Sequence, residues 1–182
     1  IALRGDLAGD PVYASWYGNA NNNLSGSVNT LEWTHMALVV DGDNIYFYIN
    51  GSRVDSVVDT GYNTTGENIL IGNNANLNAA VHGYIDEIRI SDIPRYTGAT
   101  YTVPTSAFVN DDNTLLLLHC DGTDGSTLFE DDNGVRAKVG VTATGNAQVD
   151  TADSKFGGAS LLCDGTGDYL ETPAQSTFTF GT

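Results

Sequence analysis

The stretch Ile45-Tyr46-Phe47-Tyr48-Ile49-Asn50-Gly51 decides the fold of this chain. Its odd positions Ile45, Phe47 and Ile49 are apolar and alternate with tyrosines, the period of a strand with two different faces. That parity places Ile45, Phe47 and Ile49 toward a core and Tyr46 and Tyr48 on the opposite face. Asn50-Gly51 supplies two residues that tolerate positive φ, as a tight hairpin turn requires. Upstream, Trp33 to Val40 reads as a strand that reverses through Asp41-Gly42-Asp43-Asn44. Downstream, Arg53 to Val58 reads as the third strand of a meander.

Working outward, the same pattern recurs at Val12 to Tyr17, Ile69 to Ile71, Tyr84 to Ile90, Thr114 to Cys120, Ala159 to Cys163 and Asp168 to Glu171. Apolar spacing of the helical kind is broken everywhere by Gly or Asn. Short strands divided by Gly, Asn and Asp predict an all-β chain built as an antiparallel sandwich or jelly roll. A Pro-marked stretch from Ser91 to Asn113 reads as a connector. The expected organisation is therefore a segment 1–103, a linker 104–113 and a second segment 114–182. Parity in Tyr84 to Ile90 sets Asp86 on the same face as Tyr84, Ile88 and Ile90, where a carboxylate needs a partner or a metal.

Composition limits what such a chain does. Its 182 residues suit one domain able to bury roughly two thirds of its unfolded surface. With 23 acidic residues against seven basic ones and a net charge of −16, it repels phosphate backbones and anionic lipid surfaces, which excludes nucleic-acid binding. No apolar run approaches the roughly 20 residues of a membrane helix, so no membrane insertion is expected. Only two lysines occur, Lys138 and Lys155. A surface kept soluble by Asp and Asn points to an extracellular, cell-surface or virion-surface setting.

The blocks Trp33-Thr34-His35-Met36-Ala37-Leu38-Val39-Val40, Tyr48-Ile49-Asn50-Gly51, Ile71-Gly72 and Gly83-Tyr84-Ile85-Asp86-Glu87-Ile88-Arg89-Ile90 come first. Leu115-Leu116-Leu117-Leu118-His119-Cys120-Asp121-Gly122 and Ser154-Lys155-Phe156-Gly157-Gly158, running on to Asp164-Gly165 and Asp168-Tyr169-Leu170, come second. The first set resembles the C-terminal half of a laminin-G-like, concanavalin A-like lectin or glucanase jelly-roll module, and the second set its N-terminal half. The resemblance implies halves in permuted order, as in repeats of bacterial or phage surface and appendage proteins. A central strand of the family pattern is missing from this order. Three arrangements follow: a window from tandem repeats, a permuted module, or halves exchanged between neighbouring subunits, with a neighbour completing the sandwich.

The glucanases of that superfamily carry a Glu-x-Asp-x-x-Glu strand that sets two carboxylates on one face. No such run occurs here, no Gly-x-Ser-x-Gly elbow appears, and His35, His82 and His119 lack metal-ligand spacing, so no enzyme is expected. The resemblance implies a structural Ca²⁺ beside Asp86, with Asp121, Asp164 and Gly165 as companions; the competing reading is that the Asp-Gly pairs cap turns. Carbohydrate is the expected ligand, stacked on Tyr46 and Tyr48 with Tyr13 and Tyr17 beside them. Cys120 and Cys163 form either a disulfide or two buried thiols. The expected function is a non-enzymatic lectin-like module of an adhesive or appendage protein, its partners being glycans and neighbouring repeats. The alternative is a structural repeat that builds a filament, fibre or virion surface by subunit contacts alone.

Overall fold

A computed structural model describes residues 1–5, 11–15, 23–29, 31–60, 68–74, 76–175 and 178, with the side chains of 2–5, 11–15 and 23 excepted. Within it the alternation at 45–49 becomes the middle of a meander: β4 (Thr34–Asp41), β5 (Asn44–Ile49) and β6 (Ser52–Val58), all antiparallel. Gly42 (φ 58°) turns the first hairpin, and Asn50 and Gly51 (φ 47° and 80°) turn the second with the positive angles a two-residue loop demands.

Two short strands precede the meander as a hairpin, β2 (Pro11–Ser15) with β3 (Asn23–Ser27), and β1 (Ala2–Gly5) lies before them. After the meander come β7 (Ile69–Ile71), β8 (His82–Asp86), β9 (Ile88–Ser91) and β10 (Thr114–Leu118). The chain then adds β11 (Thr142–Thr144), β12 (Gln148–Asp150), β13 (Ser160–Asp164) and β14 (Tyr169–Thr172). No helix occurs among the described residues. One sheet has the order β12-β13-β8-β1-β4-β5-β6; the others are β11-β14-β7, β9 with β10, and β2 with β3. Strands from before and after the 104–113 stretch pair directly, β13 with β8, β10 with β9 and β14 with β7.

The main core draws on both segments, joining Ile85, Ile88, Leu115, Leu116, Leu118, Val149, Leu161, Cys163, Leu170 and Phe178. A smaller cluster sets Leu24 of β3 on Ile45 and Phe47. Gly26 permits that approach, because any Cβ there would run into the side chains of Ile49 and Val54.

The run Tyr84 to Ile90, expected as one strand, is broken at Glu87, which sits at φ 53°. β8 and β9 therefore pair with different neighbours, and Asp86 and Glu87 are both buried instead of facing opposite ways along one strand. The connector from Ser91 to Asn113 is likewise more than a link. Ser52 bridges to Thr100, Arg53 N–H donates to the Ala99 carbonyl and Tyr101 N–H to that of Gly51. This strap thereby lies against the tyrosine face of the meander.

Candidate functional site

Between β4 and β9 opens a cleft of about 430 Å³, lined by residues 35–42, 89–96, Ile1, Ile69 and Phe108. Its walls follow from strand geometry. Successive residues of a strand turn their backbone groups to opposite sides. The carbonyl of His35 accepts from Asn50 on the β5 side, whereas Met36 N–H donates to the Ile1 carbonyl at 2.9 Å on the β1 side. By that alternation the backbone groups of Leu38 and Val40 point away from β5. The β1 ladder reaches only as far as Met36, so among the described residues no strand pairs with this stretch of β4.

The opposite wall repeats the situation. Leu117 spends its N–H on Asp131 and its carbonyl on Asp132 N–H, so Leu116 and Leu118 are the residues that bond β9 through Ile90 and Ile88. Arg89 then turns its backbone groups away from β10, an edge that carries no partner strand among the described residues. Met36, Ile69 and Ile90 make the inner wall and join the main core.

The outer wall is aromatic and cationic. The Arg89 guanidinium lies 4.2 Å from the Phe108 ring centre, and His35 meets Phe108, Tyr96 and Tyr101 edge-on. Tyr96 and Tyr101 stack at 3.7 Å. Tyr101 Oη and His35 Nδ1 are 2.5 Å apart, and among the described residues Nε2 of the buried His35 has no hydrogen-bond partner. Burial pushes His35 down to about 3, so the ring is neutral at ordinary pH, and burial raises the Tyr101 hydroxyl above its usual range. Burial and then the nearby Arg95 lower the Arg89 guanidinium from its ordinary value. Phe108 is itself fixed by Glu87, whose buried carboxylate accepts from Phe108 N–H at 2.7 Å and pairs with His119 at 2.8 Å.

The residues that the sequence singles out fall elsewhere. Tyr48 is fully buried, its hydroxyl donating to the Gly98 carbonyl at 2.7 Å with the Tyr96 carbonyl at 3.1 Å. This corrects the expected sugar platform: alternation gives β5 a second face, but the strap covers it. Tyr46 is half-buried beside Tyr48, with the Arg53 guanidinium 4.7 Å over its ring. Tyr17 and the side chain of Tyr13 lie outside the described residues.

The three aspartates do not meet. Asp86 is buried and accepts three backbone N–H groups, from Glu87, Lys155 and Phe156 at 2.7, 2.8 and 3.0 Å. Burial pushes its carboxyl up to about 6 against those donors. It thus ties the Lys155-Phe156-Gly157-Gly158 turn to β8. Exposed Asp121 packs on Gly157, whose φ of 70° and lack of a Cβ leave room for the carboxylate. Asp164 caps its own turn, accepting from Thr166 N–H at 2.8 Å and Asn146 at 3.0 Å, while Gly165 takes φ 86°. Among the described residues no three His, Cys, Asp or Glu side chains are grouped to hold a metal. Cys120 and Cys163 are free buried thiols; burial raises both, Cys163 to about 12.

What the sequence reading missed is the cleft itself. Its one advance signal was Tyr96, Tyr101 and Phe108 inside a stretch taken for a linker, since three aromatics rarely sit in a solvated connector without packing on something. Residues 4–97 match a family model described as the concanavalin A-like lectin/glucanases superfamily. No curated protein and no solved structure matches the chain.

Proposed function

The chain belongs to the concanavalin A-like lectin/glucanase superfamily, and from that premise we propose a non-catalytic module of an extracellular or surface assembly, joined to a neighbour by strand pairing. One observation carries this reading: the edge of β9 away from β10 faces the cleft without a partner strand among the described residues, and the floor of the cleft opens onto the core. Unpaired strand edges recruit strands, because each free N–H and C=O regains a partner when one is added. The acidic, lysine-poor composition supports the extracellular setting. Asp86 and Glu87 are both buried and held by hydrogen bonds, so this adjacent pair is not open to a substrate as glycosidase carboxylates must be.

The test is hydrogen exchange on the protein in its native assembly and after dissociation. The amide of Arg89 is expected to be protected only in the assembly. Fast exchange in both states defeats the reading. The lectin alternative retains Tyr46, whose ring face Arg53 already occupies. Saturable binding of the native assembly on a glycan array would favour it.

A further inference from the structure

The second turn of the meander carries a reactive dipeptide. An asparagine followed by glycine leaves its side-chain amide open to the next backbone nitrogen, because glycine has no side chain to hinder the approach. Two such pairs occur in the chain, Asn50-Gly51 and Asn133-Gly134, and the structure treats them differently. Asn133 is buried; its carboxamide donates to the carbonyls of Thr114 and Leu115 and accepts from Val135 and Arg136 N–H. Asn50 is exposed, and among the described residues its carboxamide bonds only His35 N–H, at 2.9 Å. The strap lies over this turn. Tyr101 N–H donates to the Gly51 carbonyl at 2.8 Å and Arg53 N–H to that of Ala99 at 2.9 Å, and a Cβ on Gly51 would strike the Tyr101 carbonyl.

We propose that Asn50 is a modification site, deamidated through a succinimide formed with Gly51 at a rate set by lifting of the strap from the turn. The Gly51 nitrogen bonds to Asn50 Cγ, the bond from Cγ to the side-chain nitrogen breaks, and ammonia leaves with the proton that Gly51 gives up. Water then opens the ring at either carbonyl, giving aspartate or isoaspartate, with no oxidant or reductant involved. Closing the ring rotates Asn50 about its Cα–C bond, out of the turn that holds φ at 47° for Asn50 and 80° for Gly51. That rotation carries the Gly51 carbonyl off Tyr101 N–H, so the strap must lift first. The aspartate product keeps an oxygen for His35 N–H. The isoaspartate product routes the backbone through the side-chain carbon and adds a methylene to a two-residue turn whose length sets the hairpin register. The Tyr101 anchor is then lost. The modification is a one-way loosening of the cover over Tyr48, and it stands independently of strand addition.

The experiment is incubation of the whole chain in mildly alkaline buffer, followed by peptide mass spectrometry that separates aspartate from isoaspartate. Deamidation is expected at Asn50 and not at Asn133, and more slowly at Asn50 than in the urea-unfolded chain. Tyr48→Phe removes the hydroxyl that bonds the Gly98 carbonyl of the strap and keeps the ring. It is expected to speed deamidation at Asn50 roughly tenfold, since lifting the strap then breaks one buried hydrogen bond fewer. Asn133 reports whether that gain is local, because unfolding is what frees its carboxamide. A parallel rise at both positions means that the whole chain opens, and overturns control by the strap. A native rate at Asn50 equal to that of the unfolded chain overturns it as well. If Asn50 stays intact in the folded wild type and in Tyr48→Phe while the unfolded chain deamidates, the site itself is overturned.

Discussion

Replacing Tyr48 separates the two accounts of the tyrosine face. On alternation alone, Tyr48→Ala removes a solvent-facing ring and leaves stability intact. In the structure the ring has no exposed surface, meets Tyr96 at 6.3 Å and Tyr101 at 5.3 Å between ring centres, and donates its hydroxyl to the strap. Truncating an enclosed aromatic side chain costs about 3–5 kcal/mol through lost transfer energy and the cavity left behind. Tyr48→Phe keeps the ring and removes only the donor to the Gly98 carbonyl, a loss of about 1–2 kcal/mol. For a chain of this size each kcal/mol shifts the melting midpoint by roughly 2–4 °C, so the alanine variant is expected to melt at least about 6 °C lower. Tyr46→Ala is the internal control: the ring is half-buried and its contact with Arg53 contributes about 1 kcal/mol or less. Thermal and urea unfolding of the three variants measure this directly. A Tyr48→Ala chain with wild-type stability would show that the strap does not enclose the ring, and would restore the solvent-facing platform.

Two further outcomes follow from the carboxylates. Chelator is expected to leave the melting temperature unchanged, because Asp86 is satisfied by three N–H donors and Asp164 by its own turn; a fall that added Ca²⁺ reverses would overturn that assignment. Arg95 grips Asp111 through two hydrogen bonds of 2.8 and 2.7 Å, which hold that carboxyl well below its ordinary 3.8. The unfolded chain therefore takes up this proton first as pH falls, so the pair stabilises fully above about pH 4 and progressively less below. Urea midpoints of wild type and Asp111→Asn are expected to differ at pH 6 and to converge toward pH 2, the gap being small because Asp111 is partly exposed.

The strand class of this chain is written into it locally. Alternation at 45–49, the Asn50-Gly51 turn and the apolar block at 115–118 each fix a strand or a turn from neighbouring residues alone, and the structure places β5, β6 and β10 there. The break at Glu87 is not local in this sense. No residue near it forbids a continuous strand; the left-handed backbone and buried carboxylate are held by His119 and Phe108, distant in sequence. Cys120 and Cys163 illustrate the same limit, since two thiols at strand ends read equally as a bond or as core.

What the sequence by itself determined is therefore the all-β class, the positions of strands such as β4, β5, β6 and β10, and the alternation that gives a strand two faces. Period and turn chemistry depend on side chains within a few residues of one another, and those are fixed in the order of the chain. What only the tertiary structure decided is which faces and edges remain open. Alternation marks Tyr48 as distinct from Phe47, but only the path of the strap from Ser91 to Asn113 determines that both are buried. Likewise the edge of β9 away from β10 carries no partner strand among the described residues, a fact of strand pairing between distant segments. Whether an edge or a face is free depends on every other segment that might have covered it, and no single stretch of sequence carries that information.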